Sequence, residues 1–149
     1  MNEPYIVSIV TSQTYVYEDT KKIDLLLQEL DPKPKKKLSY SVLSSMMVNG
    51  DIVIAKKKGK IIGIGSLSII ERFTHSEVEI YDLVVKKEDR RKGIGKSILS
   101  RLIQEASEVR NVTKIRIASP LNNEAMQKLC EKFGFKPSDT GYLLNLEIK

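Results

Sequence analysis

Asp82-Leu83-Val84-Val85-Lys86-Lys87-Glu88-Asp89-Arg90-Arg91-Lys92-Gly93-Ile94-Gly95-Lys96-Ser97 carries an apolar strand through a charged turn into the start of a helix. Gly93 and Gly95 stand where that helix begins. Glycine is costly inside a helix, so this placement needs a reason. Without side chains, the two residues let an anion reach backbone N–H groups that lack an intrahelical acceptor. The helix dipole draws negative charge to the same end. Arg90, Arg91, Lys92 and Lys96 ring the spot, with Ile94 and Ser97 completing the stretch. Together these residues describe a diphosphate site. Two other phosphate loops do not fit. A Walker A loop ending in Gly95-Lys96-Ser97 needs glycine where Arg90 stands. A dinucleotide fingerprint needs glycine where Ile98 stands.

Outward from this stretch the pattern alternates. Val78 to Val85 reads as a strand. Ile94, Ile98, Leu99, Leu102, Ile103 and Ala106 recur at helical spacing. Lys114 to Ala118 alternates as a strand does. Ala125, Met126, Leu129, Cys130 and Phe133 mark a last helix, closed by Gly134. A short strand near Phe135 and a final one from Tyr142 to Ile148 follow. Upstream, Ile6 to Val10 reads as a strand, and Ile23, Leu26, Leu27 and Leu30 as one helix face. Asp31-Pro32 ends that helix, because the residue before proline is pushed out of the helical region. Leu38, Val42, Leu43, Met46 and Met47 predict a second helix, closed by Asn49-Gly50. Asp51 to Ala55 and Ile61 to Ile70 predict a hairpin around Lys56-Lys57-Lys58-Gly59-Lys60. Hairpins in the first half and strand–helix alternation in the second imply a mixed α/β sheet in a single domain over residues 1–149.

The composition narrows the function. No apolar run approaches the roughly 18–20 residues that span a bilayer, so no membrane role is expected. Met1-Asn2-Glu3-Pro4 lacks the basic and apolar regions of a secretory signal. Cys130 is the single cysteine, which excludes an internal disulfide and a multi-cysteine zinc site. With His75 the only histidine, no structural metal is expected, and a cytoplasmic setting is the default. The net charge of +6 favours anionic partners. A nucleic-acid surface interleaves basic and aromatic residues. The densest basic cluster, Lys33 to Lys37, contains no aromatic, which argues against nucleic acid.

Arg-x-x-Gly-x-Gly between a strand and an amphipathic helix resembles the acetyl-CoA loop of the GNAT family of N-acetyltransferases. Asn123-Glu124-Ala125-Met126-Gln127-Lys128-Leu129-Cys130-Glu131-Lys132-Phe133-Gly134-Phe135 resembles that family's last-helix motif, at the expected spacing. The resemblance implies a GNAT fold: a mostly antiparallel, twisted sheet of six to seven strands flanked by about four helices. It implies acetyl-CoA as acyl donor, with its diphosphate on residues 91 to 96 and its pantetheine arm along Leu83, Val84 and Val85. The N–H near Leu83 would then serve as an oxyanion donor, and Asn123 would touch the pantetheine arm; Asn123 also reads as the cap of the last helix, with Asn122 as the rival. Glu79 falls on the position of the catalytic glutamate in histone-type members, with Tyr81 and Asp82 as alternates. Strand alternation puts Glu79, Tyr81 and Leu83 on one face, absent a bulge. Cys130 stands where many members carry a tyrosine that protonates the thiolate. Its thiol, with a pKa of ~8.5, could donate in principle, but its place on the apolar face reads as core. The implied acceptor is a small-molecule amine or a peptide or protein lysine, and relatives allow a homodimer. The other reading is a catalytically inert CoA-binding sensor or partner module.

Overall fold

A computed structural model describes residues 4–11, 19–30, 32–33, 38–118, 124–138 and 141–146. Its seven strands are β1 (Ile6–Ile9), β2 (Gly50–Lys57), β3 (Lys60–Glu71), β4 (Ser76–Val85), β5 (Val112–Ile117), β6 (Lys136–Ser138) and β7 (Gly141–Asn145). The four helices are α1 (Asp19–Leu30), α2 (Tyr40–Val48), α3 (Ile94–Ser107) and α4 (Glu124–Lys132). A single 3-10 turn, Lys87–Asp89, leads from β4 toward α3. The strands form one sheet in the order β1-β2-β3-β4-β5-β7-β6. Among the described residues only β4 and β5 run parallel, joined by the crossover through α3. The expected mixed sheet, mostly antiparallel with four flanking helices, is therefore found. Asn122, Asn123, most of the Lys33 to Lys37 cluster and Asp31 lie outside the described residues.

Local chemistry sets the elements. The β2–β3 hairpin turns at Lys58-Gly59, both with positive φ (52° and 75°), the pairing a two-residue primed turn requires. Ser39 caps α2 by accepting from the Val42 N–H at 3.3 Å. In α3, Ile94, Ile98, Leu99, Leu102 and Ala106 are all buried. Each such Leu or Ile contributes about 1.5–3 kcal/mol of burial. They pack with Val53, Val78, Ile80, Ile115 and Cys130 into a core on one face of the sheet. A second core, with Ile23, Leu26, Leu43, Ile52, Ile64 and Val84, lies under α1 and α2 on the other face.

One irregularity in β4 decides where the two cores meet the functional site. Ile64 of β3 pairs with Val84, and Ser66 pairs with Tyr81. Two steps on β3 therefore oppose three on β4, a β-bulge at Asp82 and Leu83. Asp82 takes the left-handed conformation there (φ 56°). The extra residue reverses the alternation. Val78 and Ile80 face α3 before the bulge, and Leu83 and Val85 pack against the same core after it, while Val84 joins the other. This corrects the expectation that Leu83 shares a face with Glu79 and Tyr81. On the other edge, β4 pairs with β5 only from Ser76 to Ile80. Ala118 donates to the Ile80 carbonyl at 3.2 Å. Beyond Ile80 no pairing with β5 is found among the described residues, and residues Tyr81 to Val85 present an opened strand edge.

Candidate active site

The turn after β4 ends at the start of α3, as its sequence predicts. Arg91 and Gly93 both take left-handed backbone conformations (φ 63° and 82°). Such turns converge successive N–H groups into an anion-binding concavity. Glycine makes the second of them at no steric cost. The first intrahelical bond runs from the Ser97 N–H to the Gly93 carbonyl at 3.0 Å. The N–H groups of Ile94, Gly95 and Lys96 precede it, and Gly93 supplies no side-chain cap. A Cβ added at Gly93 would meet nothing within 4 Å, and one at Gly95 would stand 3.6 Å from Val85 Cγ2. There is thus room above the first turn, beside the opened end of β4, that side chains at these two positions would fill. The space and the donor set fit a diphosphate with a chain running onto β4.

The cations around this turn are not equivalent. Arg91 and Lys96 are exposed on the loop and the first turn. Arg90 departs from the expected ring: its Nε donates to the Val85 carbonyl at 2.8 Å, and its Nη2 to Glu29 Oε2 at 3.3 Å. Glu29 also accepts from the Lys87 N–H at 3.2 Å, so α1 is fastened to the loop. Arg90 therefore shapes the loop from behind. The Ser97 hydroxyl lies 2.7 Å from that of Tyr5 and 3.0 Å from the Gly93 carbonyl, which ties β1's approach to the helix start.

Sequence reasoning missed Asp89. It is buried, with its carboxylate bonded to Lys57 of β2 and 3.8 Å from Lys92. This link fixes the 3-10 turn against the sheet. Asp89→Asn, which keeps the shape and removes the charge, is expected to cost about 1–3 kcal/mol in urea unfolding.

On the α1/α2 face, a cavity of about 280 Å³ opens at the bulge. Ile52, Ile64, Gly65, Ser66 and Asp82 form its sheet side; Asp24, Leu38 and apolar residues of α1 and α2 form the rest. Asp82 is exposed as a whole, yet enough protein crowds its carboxyl that desolvation raises its pKa. Glu79 sits outside this cavity. Its Oε1 accepts from Arg116 Nη1 at 3.1 Å, across the parallel β4–β5 pair. Tyr81 is half-buried on the face of Glu79. Glu77 is a half-buried hub, within 4 Å of Arg72, His75 and Lys114. Partial burial would raise its carboxyl, but Arg72, through its hydrogen bond and charge, and Lys114 outweigh that and hold it below the usual range. His75 belongs to this hub at the far end of β4 from the bulge.

Cys130 is fully buried on α4, in the α3 core. Its thiol is pushed up to about 11, chiefly by burial, with a smaller push from Glu131. Among the described residues no cluster of three or more His, Cys, Asp or Glu is arranged to hold a metal ion. No helix among them is long and apolar enough to cross a membrane.

The chain matches a family model described as the acetyltransferase (GNAT) family over residues 18–135. No curated protein matches it. Among solved structures, it is similar to an N-acetyltransferase from Staphylococcus aureus Mu50, with TM-score 0.78 and 19% identity over 97% of this chain and 100% of that one. It is also similar to glucosamine-6-phosphate N-acetyltransferase from Arabidopsis thaliana, with TM-score 0.74 and 18% identity over 99% of each chain. A third is Arabidopsis thaliana Naa50 in complex with the bisubstrate analogue CoA-Ac-MVNAL, with TM-score 0.72 and 19% identity over 91% of this chain and 85% of that one.

Proposed function

Because the chain belongs to the acetyltransferase (GNAT) family, we propose that it moves an acetyl group from acetyl-CoA to a primary amine by direct attack in a ternary complex. The observation that carries this reading is the junction of two spaces: the concavity above the first turn of α3, and the opened edge of β4 beside it. The N–H groups of Ile94, Gly95 and Lys96 would hold the diphosphate, with Arg91 and Lys96 adding charge. Leu83, Val84 and Val85 would pair with the extended arm through their backbone. Bound acetyl-CoA would supply a thioester carbonyl as electrophile and a thiolate as leaving group.

The bulge would place the Leu83 N–H where oxygen charge develops. Neither β3 nor β5 gives Leu83 a partner in register. Removing one such donor typically costs ~10²–10³ in rate. An alkyl ammonium, with a pKa near ~10, must lose a proton before its nitrogen can attack. Of the two carboxylates lining the cavity, Asp82 is the one on β4 at the bulge, and its raised pKa suits it to take that proton. In balance, the C–N bond forms and the C–S bond breaks. The nitrogen gives up two protons, one to the departing sulfur and one through Asp82 to solvent. Glu79, held by Arg116, orders the strand pair beside the gap in this reading.

Cys130 has no proton-transfer role here. A thiol sealed in the core cannot reach a thiolate in the gap without repacking α4. Cys130→Ala is expected to keep kcat within about a factor of two and to cost about 1 kcal/mol of stability. Rate loss beyond tenfold with the fold intact would restore the thiol to the mechanism. The missing tyrosine at 130 favours the inert CoA-binding module as the second reading. Calorimetry with acetyl-CoA followed by thiol-release assays over an amine panel decides between the two. Binding and release support the enzyme, binding alone supports the module, and no binding removes both.

A further inference from the structure

We infer that the acceptor is a small primary amine with an apolar aliphatic or aromatic body, held between α1 and α2 with its ammonium group at Asp82 and Asp24. This rests on the acetyl-transfer reading above and concerns the other half of the same site. The polar side chains lining the cavity at the bulge are Asp82, Asp24 and Ser66. Its remaining wall is hydrocarbon and thioether: Leu27, Leu38, Val42 and Met46 are half-buried around it, over Ile23 and Ile52. Half-burial of four large apolar side chains around one opening means that a ligand body there would complete their burial. Met46 adds an adaptable surface.

Size and charge sharpen the class. A cavity of about 150 Å³ holds a benzene ring. At about 280 Å³, this one takes a ring or short alkyl chain together with a two- or three-atom arm. A sugar body would leave its hydroxyls unpaired against the apolar wall. A phosphate would meet the two carboxylates. A cationic head matches both, and Asp82 stands in the bulge of β4, on the stretch where pairing with β5 has ended. The orientation is therefore fixed: head at the bulge, body between the helices.

The test uses the full chain with acetyl-CoA. Coenzyme binding is measured by calorimetry. kcat/KM is then measured for 2-phenylethylamine, hexylamine, propylamine, ethanolamine, glucosamine-6-phosphate and a short lysine peptide. Phenylethylamine and hexylamine are expected to exceed ethanolamine by tenfold or more, as two or more buried methylenes imply. Val42→Phe, which narrows the body end, is expected to lower kcat/KM for phenylethylamine about tenfold and to shift the ranking toward propylamine. Should that variant not fold, the chain-length series on the wild-type protein carries the test alone. Preference for ethanolamine, the sugar phosphate or the peptide overturns this inference and leaves acetyl transfer standing. Coenzyme binding without turnover of any amine overturns the inference, and absence of coenzyme binding overturns both it and the reading beneath it.

Discussion

Asp82→Asn is expected to lower kcat/KM about a hundredfold at neutral pH, the lower end of what a positioned base supplies. Asparagine tests the charge alone. It matches the shape of aspartate and is among the few residues that tolerate the left-handed backbone this position adopts. The deficit should shrink as pH rises toward ~10, where free amine is abundant without help. Glu79→Gln is the comparison, and its effect should be smaller than that of Asp82→Asn at every pH. The reverse order would move the base to Glu79. Stability should change the other way. Burial raises the Asp82 carboxyl in the folded chain, so the folded state holds its proton more tightly than the unfolded one. The wild-type protein therefore loses stability as pH rises from the ordinary carboxylate range through the raised value. The asparagine variant has no such loss, and its Tm at pH 7 should equal or exceed that of the wild type.

Gly95→Leu is expected to raise KM for acetyl-CoA about a hundredfold, the worth of one to two charge-assisted hydrogen bonds. The fold should survive. Gly95 has an ordinary helical backbone, and its added Cβ would make only van der Waals contact with Val85. Leucine is close to the best helix former, whereas glycine costs about 0.8–1 kcal/mol in a helix. Thermal unfolding without ligand should therefore stay level or move upward, while the shift induced by acetyl-CoA disappears. A variant that binds the coenzyme normally would show that the space above the first turn is not where the diphosphate rests.

Much of this site could be read in advance because it is local. The loop, the helix it opens and the face of α3 lie within one stretch of 25 residues, Asp82 to Ala106, where spacing alone reports geometry. What escaped depends on partners far away in the chain. Arg90 turns from the loop toward Glu29, 61 residues earlier, and Asp89 is held by Lys57, 32 residues earlier. Glu79 read as the leading base, and only the parallel pairing brings Arg116 beside it. The bulge did leave a trace. Apolar residues alternate through Val78 and Ile80, then run consecutively through Leu83, Val84 and Val85. An apolar run can also mark a strand buried on both faces, so that break in phase had two readings. The cavity on the α1/α2 face left no such trace, because it forms only where two helices and three strands meet.

The bulge at Asp82 and Leu83 also divides what can vary in this protein from what cannot. Deleting one residue there would restore a regular strand, but it would exchange Leu83 and Val85 with Val84 between opposite sides of the molecule. Both interiors would lose their fillings at once. The gap beside β4 is thus locked by the demands of folding, independently of any selection for catalysis. Helices α1 and α2 carry no such double obligation on their cavity-facing side, so changes of acceptor preference should accumulate there while the transfer apparatus stays fixed.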